Sequence, residues 1–162
     1  MLVIETPAIT LTTIGSNRKI ILNKIGVPSV LIFLSRDTSN ASESINGPVR
    51  DRYPKASSLL VVNIMDLHIA PRLLRRVVEA FIRDAYEDAC QKLPKDWPPR
   101  DYLLLAPDWD GKLTKSFGFS DTNKIAGVAV LDRQGKIVGT YQGKNLTEQT
   151  LSMLDKISME IV

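Results

Sequence analysis

The sequence predicts an α/β protein in which a central β-sheet is covered by helices. Three observations support this fold class: two apolar runs of strand length that are each followed by a helical pattern, a hairpin pattern near the C-terminus, and a final amphipathic helix. The predicted order is β-α-β-α-β-(α)-β-β-α. The chain has 162 residues, of which 44% are hydrophobic and 24% charged, so we expect residues 1–162 to form a single domain with one sizeable core.

The chain opens with two short β-rich segments, residues 9–14 and 19–22, around the turn-forming Gly15-Ser16-Asn17. This composition predicts a hairpin or a bent strand. Residues 28–34 follow as a continuous apolar run, which is typical of a strand covered on both faces. A polar loop over residues 35–44 comes next and leads into a helix.

This first helix is predicted to begin near Ala41. Asn40, followed three residues later by Glu43, resembles a capping box, and Ser39 is an equally good cap. Gly47-Pro48 interrupts the helical spacing, because proline has no N–H to donate and its ring clashes with the preceding turn. We therefore expect a kink or a short helix.

A second buried strand is predicted over residues 58–65, and Pro71 suits the first turn of a long helix that runs to about Lys92. The apolar residues of this helix follow helical spacing, which predicts that most of the helix belongs to the core. These residues are Leu74, Val78, Phe81, Ile82, Ala85 and Ala89.

A proline-rich connector, residues 93–100, then precedes a third strand that is expected to begin at about Tyr102. Residues 110–119 predict a short helix and a turn. Residues 125–131 and 136–141 predict a hairpin, in which Gly135 supplies the left-handed position of the turn.

The last predicted element is a helix that Asn145 caps, with Glu148 three residues later completing a capping box. Its apolar residues fall on one face, which predicts that the helix packs on the sheet. That face consists of Leu146, Thr150, Met153, Leu154, Ile157 and Ile161.

The order of elements and three sequence patterns resemble the thioredoxin-like superfamily, in its peroxiredoxin and thiol-disulfide reductase branch. The patterns are Phe117-Gly118-Phe119, the apolar strand and Asp-x-x-Gly-Lys-Ile-Val hairpin of residues 125–138, and the closing Tyr141-Gln142-Gly143. The resemblance implies a three-layer sandwich with a central mixed sheet flanked by helices. The long helix and the proline-rich connector would be enlarged central material.

In that family the loop after the first central strand carries the working cysteine, because a helix N-terminus lowers the pKa of a thiol. Aligned as Cys-x-x-Cys, the two cysteine positions fall near Thr38 and Ala41; aligned as a peroxiredoxin, Thr38 matches the motif threonine and Ala41 replaces the cysteine. The family's cis-proline position corresponds to Ala126. A cis bond before a residue other than proline costs about 2.5–4 kcal/mol, so we expect the Ile125–Ala126 bond to be trans.

The resemblance therefore implies a thioredoxin-like framework without its redox cysteines, and the first hypothesis is a non-catalytic binding or regulatory module. This hypothesis assigns no catalytic residue, no metal and no cofactor, and its partner is an unknown protein or a small anionic ligand that approaches a helix N-terminus. Ordinary turn and cap chemistry would also explain the polar loop. The candidate ligand-binding residues are Arg36, Asp37, Thr38, Asn40 and Glu43, with Asn123, Lys124 and Ala126 from the facing loop.

Two alternative functions depend on single residues. Cys90, the only cysteine, would support a residual thiol-dependent peroxidase or disulfide oxidoreductase, alone or with a partner thiol. Its place at the end of the long helix favours instead a semi-buried, small hydrophobic residue. His68, with Asp66 nearby, would suit a hydrolase, although a solvated or capping histidine explains the same pattern.

Two further features point to interaction surfaces. Arg72, Arg75 and Arg76 open the long helix, where the helix dipole disfavours cations, and they are candidates for anion binding. Glu79 and Glu87 follow Arg75 and Arg83 by four residues, so an exposed face with ion pairs is the alternative. Trp97 and Trp109 would anchor a partner or pack over the sheet edge.

The overall charge of the chain gives little indication of its function. A net charge of +3 and a pI near 9.0, without a clustered basic patch, do not indicate nucleic-acid binding. No run approaches the roughly 18 apolar residues of a membrane span, and residues 1–7 lack the pattern of a secretory leader. The lone cysteine agrees with a reducing compartment, so we expect a cytoplasmic protein without a membrane partner.

Overall fold

The computed structural model describes residues 5–161; residues 1–4, on which part of the leader prediction depends, lie outside them. The strands are β1 (Thr10–Thr12), β2 (Lys19–Ile21), β3 (Ser29–Leu34), β4 (Leu60–Asp66), β5 (Leu105–Asp108), β6 (Gly127–Leu131) and β7 (Ile137–Gln142). Strands β1 and β2 form an antiparallel hairpin, and a separate five-stranded sheet has the order β5-β4-β3-β6-β7. The helices are α1 (Asn40–Arg52), α2 (Arg75–Lys92), α3 (Pro99–Tyr102), α4 (Lys112–Ser116) and α5 (Leu146–Asp155).

The five-stranded sheet is mixed, as predicted. Strand β4 runs parallel to both β3 and β5, whereas β6 is antiparallel to both β3 and β7. Every residue of β3 and β6 is buried, which explains why these strands are continuous apolar runs in the sequence.

The two faces of the sheet carry separate cores. Val30, Ile32 and Leu34 of β3 pack on one face with residues of α1 and α5. On the other face, Phe33 lies between the rings of Phe117 and Phe119, each with its centroid 4.9 Å away, and the β1–β2 hairpin and α4 complete the layer. This alternation of side chains along β3 produces three layers.

Helix α1 continues through Pro48 to Arg52, so the prediction of a short helix is wrong. Proline leaves the carbonyl of Ser44 without its helical donor, and the Thr147 hydroxyl at the start of α5 donates to that carbonyl at 2.9 Å. The N-cap is Ser39, without a side-chain cap bond, so the predicted Asn40 capping box does not form.

The prediction that most of α2 belongs to the core is wrong. Ile82 is the one buried residue of α2, and it packs against Ile14 and Leu67 beside the edge strand β5. Hairpin β1–β2 and α4 already cover this face of the sheet, so α2 is left with a narrow contact. A 3-10 turn, Arg72–Leu74, separates Pro71 from the helix.

The third central strand begins at Leu105 and not at Tyr102. Residues Pro99–Tyr102 form the helical turn α3, with Pro99 at its first position, where a missing N–H costs nothing. Strand β5 contains Pro107, which an edge strand tolerates because its outer side needs no donor.

The C-terminal hairpin and helix are confirmed. Gly135 has φ +84°, and a Cβ there would lie 2.7 Å from the backbone oxygen of Asn23, so both conformation and space require glycine. Helix α5 begins after Asn145, which has φ +65° and no side-chain cap bond, so the predicted capping box with Glu148 is absent.

Candidate functional site

The carboxyl ends of β3, β4 and β5 lie on one edge of the sheet, and the loop before β6 reaches the same edge. Open α/β sheets commonly bind ligands there, because the loops that follow parallel strands meet at that edge. Residues that are far apart in the sequence come together here in one polar network.

Thr38 connects two of these loops. Its hydroxyl accepts a hydrogen bond from the Ser35 N–H at 2.9 Å and donates to the Thr122 carbonyl at 2.6 Å. Thr38 and Thr122 are both buried. The loop after β3 is therefore held directly against the loop that carries Asn123, Lys124 and Ala126.

The network continues from Thr122 to a histidine. The Thr122 hydroxyl donates to Asp66 Oδ2 at 3.2 Å, and Asp66 Oδ1 lies 2.7 Å from His68 Nδ1. The Asp66 carboxylate is 8% exposed and the His68 imidazole 54% exposed. A buried acid thus orients an exposed ring. When Nδ1 donates its proton to Asp66, Nε2 faces solvent and is available to a ligand.

The turn after β5 fits closely over this pair. Gly111 has φ +71°, and a Cβ there would lie 3.1 Å from both Asp66 Oδ1 and His68 Cβ. Asp108 is committed elsewhere, since its buried carboxylate accepts hydrogen bonds from the Thr114 N–H at 2.8 Å and hydroxyl at 2.7 Å at the start of α4. Within the described chain no serine or cysteine hydrogen-bonds His68, so the nucleophile that a hydrolase needs is not beside it.

The remaining predicted ligand residues surround the network. Arg36, Asp37, Asn40, Glu43 and Lys124 are exposed, and Asn123 is half-buried. Ala126 is buried, and its peptide bond with Ile125 is trans, as predicted. The site is therefore a polar rim around a closed centre rather than an open groove at Thr38.

Cys90 has other neighbours. It is half-buried in the last turns of α2, next to Tyr86. Burial, followed by the hydrogen bond with Cys90, raises the pKa of the Tyr86 hydroxyl. The Tyr86 ring covers Gly15 in the β1–β2 turn, where a Cβ would collide with the ring. The only thiol thus contacts Tyr86, whose ring packs on the hairpin turn, whereas Thr38 contacts the Thr122 loop.

The arginines at the start of α2 have different surroundings. The Arg75 guanidinium lies 5.1 Å from the centre of the Trp109 ring, whereas Arg72 and Arg76 are exposed. Within residues 5–161 no ion pair joins Arg75 to Glu79, so that expected pairing is wrong.

The second predicted ion pair on α2, between Arg83 and Glu87, is also absent from the described residues.

The two tryptophans have different neighbours. Trp97 stacks on Tyr102 with ring centroids 4.4 Å apart. Trp97 therefore packs on the α3 turn rather than over the sheet edge, whereas Trp109 packs against the cluster of Ile14, Leu67 and Ile82 beside β5.

Two residues of the network were missed by the sequence analysis. Thr122 lies 56 residues from Asp66 in the chain, and no local pattern connects the two. The signal for Gly111 was a turn glycine between a strand and a helix, which does not by itself indicate a site.

Two further properties concern only the described chain. None of its helices combines the length and hydrophobicity that crossing a membrane requires. Across residues 5–161, no group of three or more histidine, cysteine, aspartate or glutamate side chains is arranged to hold a metal ion.

Neither a family model nor a curated protein matches the chain. Several solved structures, however, are similar to it. MTB DsbF, described in mixed oxidised and reduced forms, has 16% identity and a TM-score of 0.60 over 93% of this chain and 95% of its own. The exposed lipoprotein thioredoxin Etrx1 of Streptococcus pneumoniae has 20% identity and a TM-score of 0.60 over 91% and 98%.

StoA of Bacillus subtilis has 22% identity and a TM-score of 0.56, over 91% of this chain and 98% of its own. These similarities show that the chain has a thioredoxin-like α/β fold, with a central mixed sheet flanked by helices. The fold prediction is thereby confirmed. The peroxiredoxin part of the resemblance and the cytoplasmic location stay predictions.

Proposed function

We propose that this chain is a thioredoxin-like binding or regulatory module that does not exchange thiols and disulfides. The observation that carries the proposal is Thr38, a hydroxyl residue at the position where the resemblance expects the first reactive thiol. Its oxygen makes hydrogen bonds to the backbone of both facing loops. A hydroxyl cannot form a disulfide, and here it holds the edge of the sheet closed.

The ligand that fits the surrounding rim combines an anionic group with hydrogen-bond donors. Arg36, Lys124 and the His68 ring supply cationic or donor groups, and the N-terminus of the 13-residue α1 favours negative charge. Asp37 and Glu43 on the same rim would accept donors from the ligand. An acidic segment of a partner protein offers both kinds of group.

The absence of redox catalysis is tested with insulin-disulfide reduction and hydrogen-peroxide consumption, each with dithiothreitol as the reductant. We expect the wild-type chain to be no faster than a Cys90→Ser variant, and both to match the rate without protein. Turnover that depends on Cys90 would contradict the proposal and support the alternative, a residual thiol-dependent oxidoreductase.

The ligand class is tested separately by amide NMR titration with the peptide acetyl-Ala-Ala-Glu, with its neutral amidated glutamine analogue as a control. We expect the acidic peptide to shift amides of residues 36–43 and 122–126. An Arg36→Gln/Lys124→Gln double variant should bind about tenfold more weakly, whereas Lys19→Gln, an exposed change on β2, should bind normally. Shifts confined to other surfaces, or equal effects of both peptides, would reject this ligand class without affecting the redox result.

A further inference from the structure

Helix α2 presents a continuous surface that the rest of the described chain does not cover. At about 100° per residue, the side chains opposite the buried Ile82 fall within about 140° of arc. We call this surface the outer face of α2. It consists of Arg76, Val77, Ala80, Phe81, Asp84, Glu87 and Asp88, and Arg72 and Leu73 of the preceding turn lie next to it.

The centre of the outer face is apolar. Phe81 is 71% exposed, Val77 51% and the adjacent Leu73 95%. Arg76, Val77, Ala80, Phe81 and Asp84 line one shallow concavity of about 330 Å³. Large apolar side chains exposed together with a polar border are typical of a protein interaction surface.

The charges of the outer face are divided between its two halves. Arg72 and Arg76 precede Ala80, and the three acidic residues, Asp84, Glu87 and Asp88, follow it. This order opposes the helix dipole, which favours anions at the N-terminus and cations at the C-terminus. Among residues 5–161, none of these five side chains forms an ion pair. Within the described residues, therefore, no ion pair compensates the unfavourable order of charges along α2.

The two other charged residues near the middle of α2 do not disturb this division. Glu79 and Arg83 line a separate pocket with Trp109 and strand β1, towards the body of the protein. The outer face itself thus has a basic first half, an apolar centre and an acidic second half.

We propose that the outer face of α2 binds the same face of a second copy of this chain, with the two helices antiparallel and a two-fold axis near Ala80. Arg76 and Asp84 lie four residues before and after Ala80, and Arg72 and Asp88 lie eight residues before and after it. In an antiparallel pair, Arg76 therefore lies level with the partner copy's Asp84, and Arg72 lies level with the partner copy's Asp88. The two-fold axis produces each of these charge pairs twice. The small side chain of Ala80 allows close approach at the axis, and Val77 and Phe81 are covered.

A second copy explains both halves of the face, which a purely acidic or purely basic partner would not. The charge pattern is complementary to its own reverse, which is the requirement for an isologous interface. Because one helix of 18 residues is only about 27 Å long, the interface belongs to the small size class. We expect a reversible dimer with a dissociation constant in the micromolar range, about 1–100 μM.

The first experiment is sedimentation velocity of the full chain from about 0.5 μM to about 500 μM, a range that spans the expected dissociation constants. The wild type should change from monomer to dimer as concentration rises. Asp84→Arg, which places arginine opposite the partner copy's Arg76, should raise the dissociation constant by at least about tenfold. Arg76→Asp combined with Asp84→Arg should restore association.

These charge substitutions distinguish a loss of dimerisation from a loss of folding stability. Arg76→Asp places an anion in the first turn of α2, where the helix dipole favours it, and Asp84→Arg replaces a like-charge pair with Asp88 by an opposite-charge pair. The variants should therefore resist urea at least as well as the wild type. A wild type that stays monomeric over the whole concentration range would overturn the proposal. So would an Asp84→Arg variant that associates as the wild type does.

The second experiment tests whether the two-fold axis lies near Ala80. Ala80→Cys in a Cys90→Ser background should form a covalent dimer on mild oxidation, because the two introduced thiols meet at the two-fold axis. Glu87→Cys in the same background is the control, since its thiols would be about 21 Å apart along the pair. Crosslinking at position 87 but not at 80 would reject the antiparallel arrangement.

Discussion

At the scale of single residues, Thr38 determines the character of the candidate site. The resemblance to thiol-disulfide reductases places a reactive sulfur near this position, but the residue present uses its oxygen to join two loops. Because Thr38 is buried, its role in the described chain is to close the sheet edge rather than to meet a substrate. Ligand contact is left to the exposed rim and to His68.

Replacing Thr38 by valine should therefore destabilise the fold. The substitution keeps the shape but leaves the Ser35 N–H and the Thr122 carbonyl without this partner, which typically costs about 1–3 kcal/mol. Urea unfolding measures the free energy. The control is Thr12→Val, an exposed change on β1 that should stay within about 0.5 kcal/mol of the wild type. Equal stability of Thr38→Val and Thr12→Val would show that the hydroxyl does not hold the loops together.

At the scale of elements, α1 shows how a helix survives an internal proline. Pro48 removes one backbone donor, and the hydroxyl of Thr147 replaces it from the neighbouring helix α5. The continuity of α1 is thus a tertiary effect, because the compensating group comes from a residue 103 positions away.

This compensation predicts a non-additive pair of substitutions. Thr147→Val should lower the free energy of unfolding by about 1 kcal/mol in the wild-type background. In a Pro48→Ala background the restored N–H can donate to the Ser44 carbonyl, so the cost of Thr147→Val should fall by half or more. A double-mutant cycle by urea unfolding measures the coupling. Identical costs in the two backgrounds would mean that Thr147 does not replace the missing donor.

The hairpin between β6 and β7 offers a second comparison at this scale. Gly135 and Gly118 have nearly the same backbone conformation, with φ +84° and +85°, but a Cβ at Gly135 would meet the Asn23 oxygen whereas one at Gly118 has open space. Gly118→Ala should cost about 1 kcal/mol for the left-handed conformation alone, and Gly135→Ala clearly more, because the hairpin must also move from its neighbour.

Thermal unfolding of the two variants measures the difference between them. If both lose the same stability, the close approach of the hairpin to Asn23 has no energetic consequence, and backbone conformation accounts for both effects.

At the scale of the whole molecule, the structure divides into a well-buried sheet and a peripheral helix. Strands β3 and β6 are buried throughout, whereas α2 contributes one buried side chain. Local stability follows the amount of apolar contact, so the two regions should open with different free energies.

Hydrogen exchange should show this division directly. In dilute protein the amides of α2 should exchange much faster than those of β3, and raising the concentration into the range of the proposed dimer should slow exchange in α2 selectively. Phe81→Glu, on the outer face of α2, should abolish this concentration dependence, whereas Lys92→Glu at the helix end should largely keep it. Protection of α2 equal to that of β3 in dilute protein would contradict the division.

The sequence by itself determined the first two central strands, the C-terminal hairpin and the missing thiol at the expected cysteine position. Residues 28–34 and 58–65 identify central strands because a strand covered on both faces needs mainly apolar side chains. Gly135 marks its turn because only glycine adopts that conformation without strain. These features depend on neighbours in the chain, so local patterns suffice to predict them.

The tertiary structure alone decided the burial of α2 and the composition of the candidate site. Periodicity shows that a helix has an apolar stripe, but not whether another element has already covered the surface on which it would pack. Likewise, the contact between Thr122 and Asp66 depends on the order of strands in the sheet, which brings distant loops to one edge. Such contacts depend on how the elements pack together, and a local sequence pattern does not contain that information.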